Sequence, residues 1–288
     1  MMYNYNNLKE IFNKKSNEIL NQYIKSPIIN EQVKYIFDGG KRLRPVIALD
    51  ICLKSGGKIE DIIHSAIAIE LIHNASLIID DLPCMDNDDI RRGKPSFHIK
   101  YSLQSAQLIA SYMIRLAFKL IIDNFKDKKL LLVMNNISKN IGILGIAGGQ
   151  LLDLTYLTEG GSMCKKRKKI NELFTKKTCS LFEISFIIGY LGSDRNDITI
   201  DKLIETAKYF GIAFQIYDDF YDIEQDNNRG DNDPNFINNF GKDSAYLEFK
   251  NSLDQFKKNM IDIQLDSLIV GQLYDLLLDK VNKKLYNI

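Results

Sequence analysis

Residues 66–93 read AIAIELIHNASLIIDDLPCMDNDDIRRG. The stretch opens as an apolar helix: Ile62, Ile63, Ala66, Ile67 and Glu70 recur three and four apart, and nothing from Ala66 to Ile79 breaks the pattern. It ends on two adjacent carboxylates, Asp80 and Asp81. Pro83 cannot continue a helix, so the chain is expected to turn there and bring Asp86 back toward Asp80. Neighbouring carboxylates at the end of an apolar helix cost repulsion and desolvation unless a cation compensates. Hard divalent cations prefer carboxylate oxygens, and Mg²⁺ commonly takes one or two of them with substrate phosphates and water. The segment therefore points to Mg²⁺ and a phosphorylated ligand.

Working outward, a second acidic cluster stands in FQIYDDFYD (residues 214–222), where Asp218 and Asp222 lie one helical turn apart on one face. Ala207 to Tyr217 before it is largely apolar, so this face is expected to line a cavity, the two clusters forming a metal clamp at the mouth of an apolar tunnel. A calcium-binding EF-hand fails on spacing: a loop begun at Asp86 has Arg91 where the turn glycine belongs, and one begun at Asp226 has Asp231. Either cluster alone also reads as a solvated acidic helix end. The cations favour a site. Of 38 basic residues 8 are Arg, and four of these are Arg42, Arg44, Arg91 and Arg92, a grouping suited to bidentate anion recognition. Gly39-Gly40-Lys41-Arg42-Leu43-Arg44-Pro45 sets two glycines before a helix start with Lys41 and Arg44 three apart. It lacks Walker spacing and reads as diphosphate capture or as a solvated basic turn.

The same helical period runs through the whole chain. Blocks are expected near 4–26, 29–38, 41–55, 58–82, 101–125, 128–156, 166–191, 199–227, 242–260 and 264–285, and strand signals are nearly absent. Breakers such as Gly56-Gly57, Pro83, Gly160-Gly161 and the polar stretch 227–239 do not resemble interdomain linkers, so one all-α domain over 1–288 is expected. The 288 residues carry a net charge of +1 with 45% hydrophobic and 26% charged residues, a globular balance that argues against a nucleic-acid partner. Cys52, Cys84, Cys164 and Cys179 form no CxxC pair, which speaks against a zinc module or a disulfide framework. The run Lys165 to Lys169 is expected to be a solvated helix start after Gly160-Gly161. The polar, Asn-rich segment Met1 to Glu10 lacks the features of a signal peptide, and no unbroken apolar run approaches the roughly 18 residues of a membrane span, so a cytoplasmic protein without a span is expected.

These residues resemble the trans-isoprenyl diphosphate synthases, in particular the branch of bacterial farnesyl and plastid-type geranylgeranyl diphosphate synthases. The resemblance covers roughly Gly39 to Asp222 and rests on GGKRLRP (39–45), DDLPCMDNDDIRRGKP (80–95), GGQLLD (148–153), KT (177–178) and FQIYDDFYD (214–222), in that order. It implies an all-α bundle around a central cavity, of isoprenoid synthase type and usually homodimeric. It also implies Mg-dependent condensation of isopentenyl diphosphate with an allylic diphosphate, dimethylallyl or geranyl. On the matching positions, Asp80, Asp81, Asp86, Asp218, Asp219 and Asp222 would hold about three Mg²⁺ ions on the allylic diphosphate, with Arg91 and Lys177 completing that pocket. Gly40, Lys41, Arg44, His73 and Arg92 would hold isopentenyl diphosphate, and Thr178 and Gln215 would sit near the developing allylic cation. His73, seven residues before Asp80, lies about 20° from its face of the helix. It reads as a ligand or as a satisfied core group, while His64 and His98 read as structural. Gln150 and Asp153 are given a secondary role.

The chain departs from the family pattern at Ile79, where His is common, and at Ala110-Ser111, where Gly-Asp is common. It also departs in the loop after the second cluster, which is shortened and has Asp233 at a Lys position, Lys242 being the nearest basic residue. In the family, bulky residues four and five positions before the first Asp shorten the product. Here these are Ser76 and Ala75, both small, which favours geranylgeranyl diphosphate. Tyr112, on the helix expected to face that wall, is a candidate floor, and farnesyl diphosphate is the expected product. A class I terpene cyclase is disfavoured by Lys41, Arg44 and Asp222. A noncatalytic partner subunit, suggested by the altered loop, is disfavoured by the intact aspartates.

Overall fold

Helix starts follow the punctuation of the sequence. Asn4 caps α1 (Tyr5–Tyr23), its side chain accepting from the Asn7 backbone N–H, and Ser26 caps α2 (Pro27–Phe37), which has Pro at its first position. The computed structural model describes residues 3–155, 163–226 and 234–286. After α2 come α3 (Leu43–Lys54), α4 (Ile59–Asp80), the two-residue antiparallel strands β1 (Ile90–Arg91) and β2 (Lys94–Pro95), α5 (Phe97–Lys100), α6 (Leu103–Asn124), α7 (Asp127–Ile141) and α8 (Ile146–Thr155). Then follow α9 (Met163–Phe174), a π-helical turn (Thr175–Cys179), α10 (Ser180–Leu191), α11 (Ile200–Asp226), α12 (Phe236–Phe240), α13 (Lys242–Asp262) and α14 (Leu268–Tyr286). The all-α reading holds. The two short strands, α5 and α12 are too short for a periodicity argument to find. The block expected over 128–156 breaks between α7 and α8, where a Cβ at Gly145 would lie 1.9 Å from the Asn140 carbonyl oxygen.

The chain divides into two compact units. One comprises Asn4–Leu132 with Ile188–Asp194; the other comprises Val133–Ile187 and Arg195–Ile288 with Met1–Tyr3. In the first, α4 is the central element. It is apolar nearly all round, so α1, α2, α3 and α6 must cover it on several sides. Asn124 at the end of α6 accepts from both the backbone N–H (3.0 Å) and the hydroxyl (2.9 Å) of Ser65, and donates to the Asp61 carbonyl. These bonds fix α4 and α6 as antiparallel neighbours.

The second unit is built on aromatic packing. Phe182 meets Phe210 edge-on at 4.9 Å, and Phe210 meets Phe256 at 4.8 Å, linking α10, α11 and α13. Its π turn is gripped by two glycines. A Cβ on Gly149 of α8 would lie 2.6 Å from the Lys177 backbone nitrogen, and one on Gly211 of α11 would lie 2.6 Å from Cys179 Sγ. Among the described residues, three helical stretches are long and apolar enough to cross a membrane by length and composition: Ile59–Asp80, Leu103–Asn124 and Asp127–Thr155. The expectation drawn from unbroken runs therefore does not stand; the first of the three is mostly buried inside the protein.

Candidate active site

In the unit built on α4, the chain turns where Pro83 demands it. Asp80 ends α4, and the backbone N–H of Asp86 donates to the Asp80 carbonyl at 2.9 Å, the return expected from the sequence. Asp81 is fully buried. Its Oδ1 accepts from Arg91 Nε at 2.8 Å and again from Arg91 Nη2, which also reaches Asp88 Oδ2 at 3.1 Å. Asp81 Oδ2 is buried with no hydrogen-bond partner. Burial pushes the Asp81 carboxyl above its ordinary range, and Arg91 opposes that shift. An unsatisfied buried carboxylate oxygen is a group that a cation would satisfy, so this segment fits Mg²⁺. Asp80, Asp81 and Asp86 are the residues that would hold it. Among the described residues no three His, Cys, Asp or Glu side chains converge as a metal cage.

The same unit carries the basic cluster. Arg44 Nη1 lies 3.4 Å from His73 Nε2. A guanidinium only donates, so that imidazole nitrogen is the acceptor and the ring is neutral with its proton on Nδ1. Burial first, then Arg44, Arg92, Arg42 and Arg91, hold His73 well below its ordinary pKa. Arg92 is exposed overall but sends Nη1 inward to Asn74 Oδ1 (3.1 Å) and the Ile36 carbonyl (3.2 Å). The Lys41 carbonyl accepts from the Tyr5 hydroxyl at 2.6 Å, and the Lys41 residue is exposed. Gly40 packs so closely that a Cβ there would stand 2.4 Å from Arg42 Nη1. Arg42, absent from the expected site residues, is buried: Nη1 bonds Glu70 Oε1 at 2.8 Å and Nε bonds Asn13 Oδ1 at 2.9 Å. The left-handed backbone of Arg42 is not visible in its residue type.

Ala75 is buried and Ser76 half-buried, its hydroxyl donating to the His73 carbonyl at 2.9 Å. Tyr112 is half-buried on α6. Ser65 is bonded to Asn124, and α4 and α6 are antiparallel with the same rise of about 1.5 Å per residue, so Tyr112 stands level with Ser76 and Leu77. The suspected wall and floor are thus at one height on neighbouring helices.

The other unit holds the remaining expected residues. Thr178 Oγ1 donates to Gln215 Oε1 at 2.5 Å, and Gln215 Nε2 donates to Asp219 Oδ1 at 3.1 Å. Asp219 Oδ2 accepts from the Phe236 backbone N–H at 2.8 Å, which ties α11 to the start of α12. Asp218 is half-buried on the same helix. Lys177 is ion-paired to Asp153, so the secondary Asp153 is the partner of an expected catalytic lysine. The two glycines that grip the π turn explain that pairing, since Gly149 lets α8 reach the Lys177 backbone. The backbone of Asp222 continues α11, while its side chain, like Asp233 and Gly160-Gly161, lies outside the described residues.

An all-α fold, an acidic helix end with a buried, unsatisfied carboxylate oxygen, and a guanidinium cluster around a neutral imidazole define a helical protein with an acidic and a basic site on one helix. The polyprenyl synthetase family model matches residues 26–233, and the chain belongs to that family. It is 34% identical to a chloroplastic geranylgeranyl pyrophosphate synthase of Capsicum annuum over 69% of this chain and 55% of that protein. It is 33% identical to a geranylgeranyl diphosphate synthase of Cyanophora paradoxa over 76% of this chain and 75% of that one. The chain spans little more than half the length of several curated relatives it matches. The crystal structure of an FPP/GFPP synthase from Zymomonas mobilis superposes with a TM-score of 0.77 at 27% identity, covering 98% of this chain and 99% of that one. The fold is therefore the helical bundle of isoprenoid synthases.

Proposed function

We propose that this protein is a short-chain prenyltransferase, condensing isopentenyl diphosphate with dimethylallyl and then geranyl diphosphate to give farnesyl diphosphate and pyrophosphate. One observation carries the reading: α4 bears both an anion site at His73 and a metal-type site at Asp80 and Asp81, seven residues apart and therefore about 10 Å along one helix. Two diphosphates held that far apart suit two prenyl substrates whose carbon chains must meet. A cyclase, with one diphosphate, needs only the second site.

In the reaction the allylic C1–O bond breaks, pyrophosphate leaves with the electron pair, isopentenyl C4 attacks C1 through its double bond, and the cation left at isopentenyl C3 loses a proton from isopentenyl C2. Arg91 and Lys177 donate to the oxygens on which negative charge grows, stabilising the leaving group where it matters most. Thr178 Oγ1 and Gln215 Oε1, held together by their mutual bond, set acceptor dipoles for the positive allylic carbon. By the family pattern Asp80, Asp81 and Asp86, and separately Asp218, Asp219 and Asp222, would hold Mg²⁺, which would supply further neutralisation of the departing pyrophosphate. Gly40, Lys41, Arg44, His73 and Arg92 orient isopentenyl diphosphate. No separate side-chain base is needed, because released pyrophosphate accepts the proton.

A geranylgeranyl product is the second reading, favoured by the small Ala75 and Ser76 and by the names of the plant and Cyanophora relatives. The level of Tyr112 on α6, beside Ser76 and Leu77, supports the farnesyl reading. A homodimer accords with Leu108 and Ile122, exposed on one face of α6, and a reducing cytoplasm accords with four unpaired cysteines. The test is incubation with labelled isopentenyl diphosphate, each allylic diphosphate and Mg²⁺, followed by chain-length analysis. Farnesyl product that lengthens in Tyr112→Ala is expected. Absence of any Mg²⁺-dependent product defeats the reading, and an unchanged product in Tyr112→Ala defeats the floor.

A further inference from the structure

Two of the arginines in the basic cluster have backbones in the left-handed region, Arg42 at φ 64° and Arg92 at φ 54°. For a side chain of that size this conformation is unfavourable and persists only where surrounding contacts over-determine it. Both arginines lead to the same pair of buried residues on α4. Arg42 Nη1 donates to Glu70 Oε1 at 2.8 Å; Asn74 Nδ2 donates to the Glu70 carbonyl at 2.7 Å and to Glu70 Oε1 at 3.4 Å; Arg92 Nη1 donates to Asn74 Oδ1 at 3.1 Å. The Asn74 amide has one orientation that serves both neighbours, its nitrogen toward Glu70 and its oxygen toward Arg92. Arg42 is further held by Asn13 and by the Phe37 ring 4.5 Å beneath it.

The ends of this chain of bonds are functional segments. Arg42 follows Gly40-Lys41 directly and fills the space that a Cβ on Gly40 would need. Arg92 closes the turn between β1 and β2. We propose that Arg42, Glu70 and Asn74 are positioning residues that lock the Gly40-Lys41 turn and Arg92 into one cradle for the diphosphate of the non-allylic substrate. The proposal rests on the prenyl-transfer reading for the identity of that substrate, while the cradle itself needs only a diphosphate. Glu70 has a second task. It neutralises a guanidinium that is 5% exposed, a charge that would otherwise be buried unpaired.

The experiment uses the full chain and the variants Glu70→Gln and Asn74→Ala. Glu70→Gln keeps shape and an acceptor but removes the charge; Asn74→Ala cuts the link to Arg92 while leaving the Arg42–Glu70 pair, so one of them reports even if the other fails to fold. Calorimetry with inorganic pyrophosphate, without added metal, measures the cradle, and steady-state condensation separates the two substrates. Both variants are expected to bind pyrophosphate about tenfold more weakly and to raise KM for isopentenyl diphosphate about tenfold. KM for the allylic diphosphate should stay within about twofold. Unchanged pyrophosphate affinity, or equal rises in both KM values, overturns the relay. Weakened pyrophosphate binding in the variants of a wild-type protein that makes no prenyl product upholds the relay and overturns prenyl transfer instead.

Discussion

Replacing Gly149 with Ala tests whether the α8 contact fixes the π turn. A Cβ there would meet Lys177 N at 2.6 Å, Lys177 Cα at 2.8 Å and the Lys176 carbonyl carbon at 3.0 Å. Comfortable carbon contacts lie near 3.5–4.0 Å, so α8 or the turn must give way by about 1 Å, and the obstacles are backbone atoms that no rotamer change can clear. Overpacking of this kind costs about 1–3 kcal/mol. Alanine in a helix returns about 1 kcal/mol relative to glycine, which blurs the result for one variant alone. Gly271 in α14 supplies the control, because a Cβ there meets nothing within 4 Å. Gly271→Ala should stabilise by about 0.5–1 kcal/mol. The propensity gain is common to both, so Gly149→Ala should fall below Gly271→Ala by about 1–3 kcal/mol, the clash alone. Urea unfolding followed by far-UV circular dichroism measures both, with equal slopes required for the comparison. Condensation kinetics should show a lowered kcat for Gly149→Ala only, as Lys177 moves with its turn. Equal stability of the two variants would refute the close approach of α8 to Lys177.

Because His73 is held neutral, its native form refuses a proton that the unfolded chain accepts below about pH 6.5, so stability should fall as pH drops through that value. The gap between urea midpoints at about pH 5.5 and 7.5 should narrow in His73→Gln and narrow less in His64→Gln, since burial lowers His64 in the same direction but not as far. Asp81→Asn should leave a folded protein whose condensation rate drops on the order of a hundredfold or more and whose Mg²⁺ requirement shifts to higher concentration, measured by metal titration. An unaltered metal dependence would remove Asp81 from the metal's ligands. Glu183 Oε1 gathers Asn136 (2.7 Å), Asn140 (2.8 Å) and Lys139 (3.1 Å) in the interior of its unit. Glu183→Leu strips three donors of their acceptor and should cost about 2–4 kcal/mol by urea unfolding, whereas a neutral result would mean that water replaces it.

The fold was legible because periodicity needs only residue type: the apolar, nearly all-round stretch 66–79 forces a central helix, and Pro83 marks its end. The return of Asp86 toward Asp80 was legible because Pro83 cannot continue the helix. What stayed hidden depends on distance. Nothing in the letters pairs Asp153 with Lys177, since the pairing needs α8 to approach the π turn through Gly149. Glu70 and Asn74 sit within an apolar run and look like lapses in its pattern until Arg42 and Arg92 are seen to meet them. The continuous helix expected over 128–156 failed for a related reason: its break at Gly145 is a backbone contact with Asn140, which a side-chain period does not register.

A net charge of +1 conceals a local imbalance with a measurable consequence. The guanidiniums of Arg44, Arg92, Arg42 and Arg91 all act on the neutral His73, and Glu70 is bonded to Arg42 among them. Mutual repulsion among guanidiniums is the electrostatic cost of keeping an anion site ready, and a bound anion removes it. Inorganic pyrophosphate without metal should therefore stabilise the folded chain on its own, by about 2.7 kcal/mol at a hundred times its Kd, seen as a rise in Tm by calorimetry. Added salt should shrink that rise, since screening weakens the same attraction. Glu70→Gln alters the network twice: it removes a carboxylate charge and loosens the geometry of Arg42. If geometry governs, the variant gains less from pyrophosphate than wild type despite its greater positive charge. If bare charge governs, it gains more. A Tm that pyrophosphate leaves unmoved in wild type would show that the arginines are not poised for a diphosphate at all.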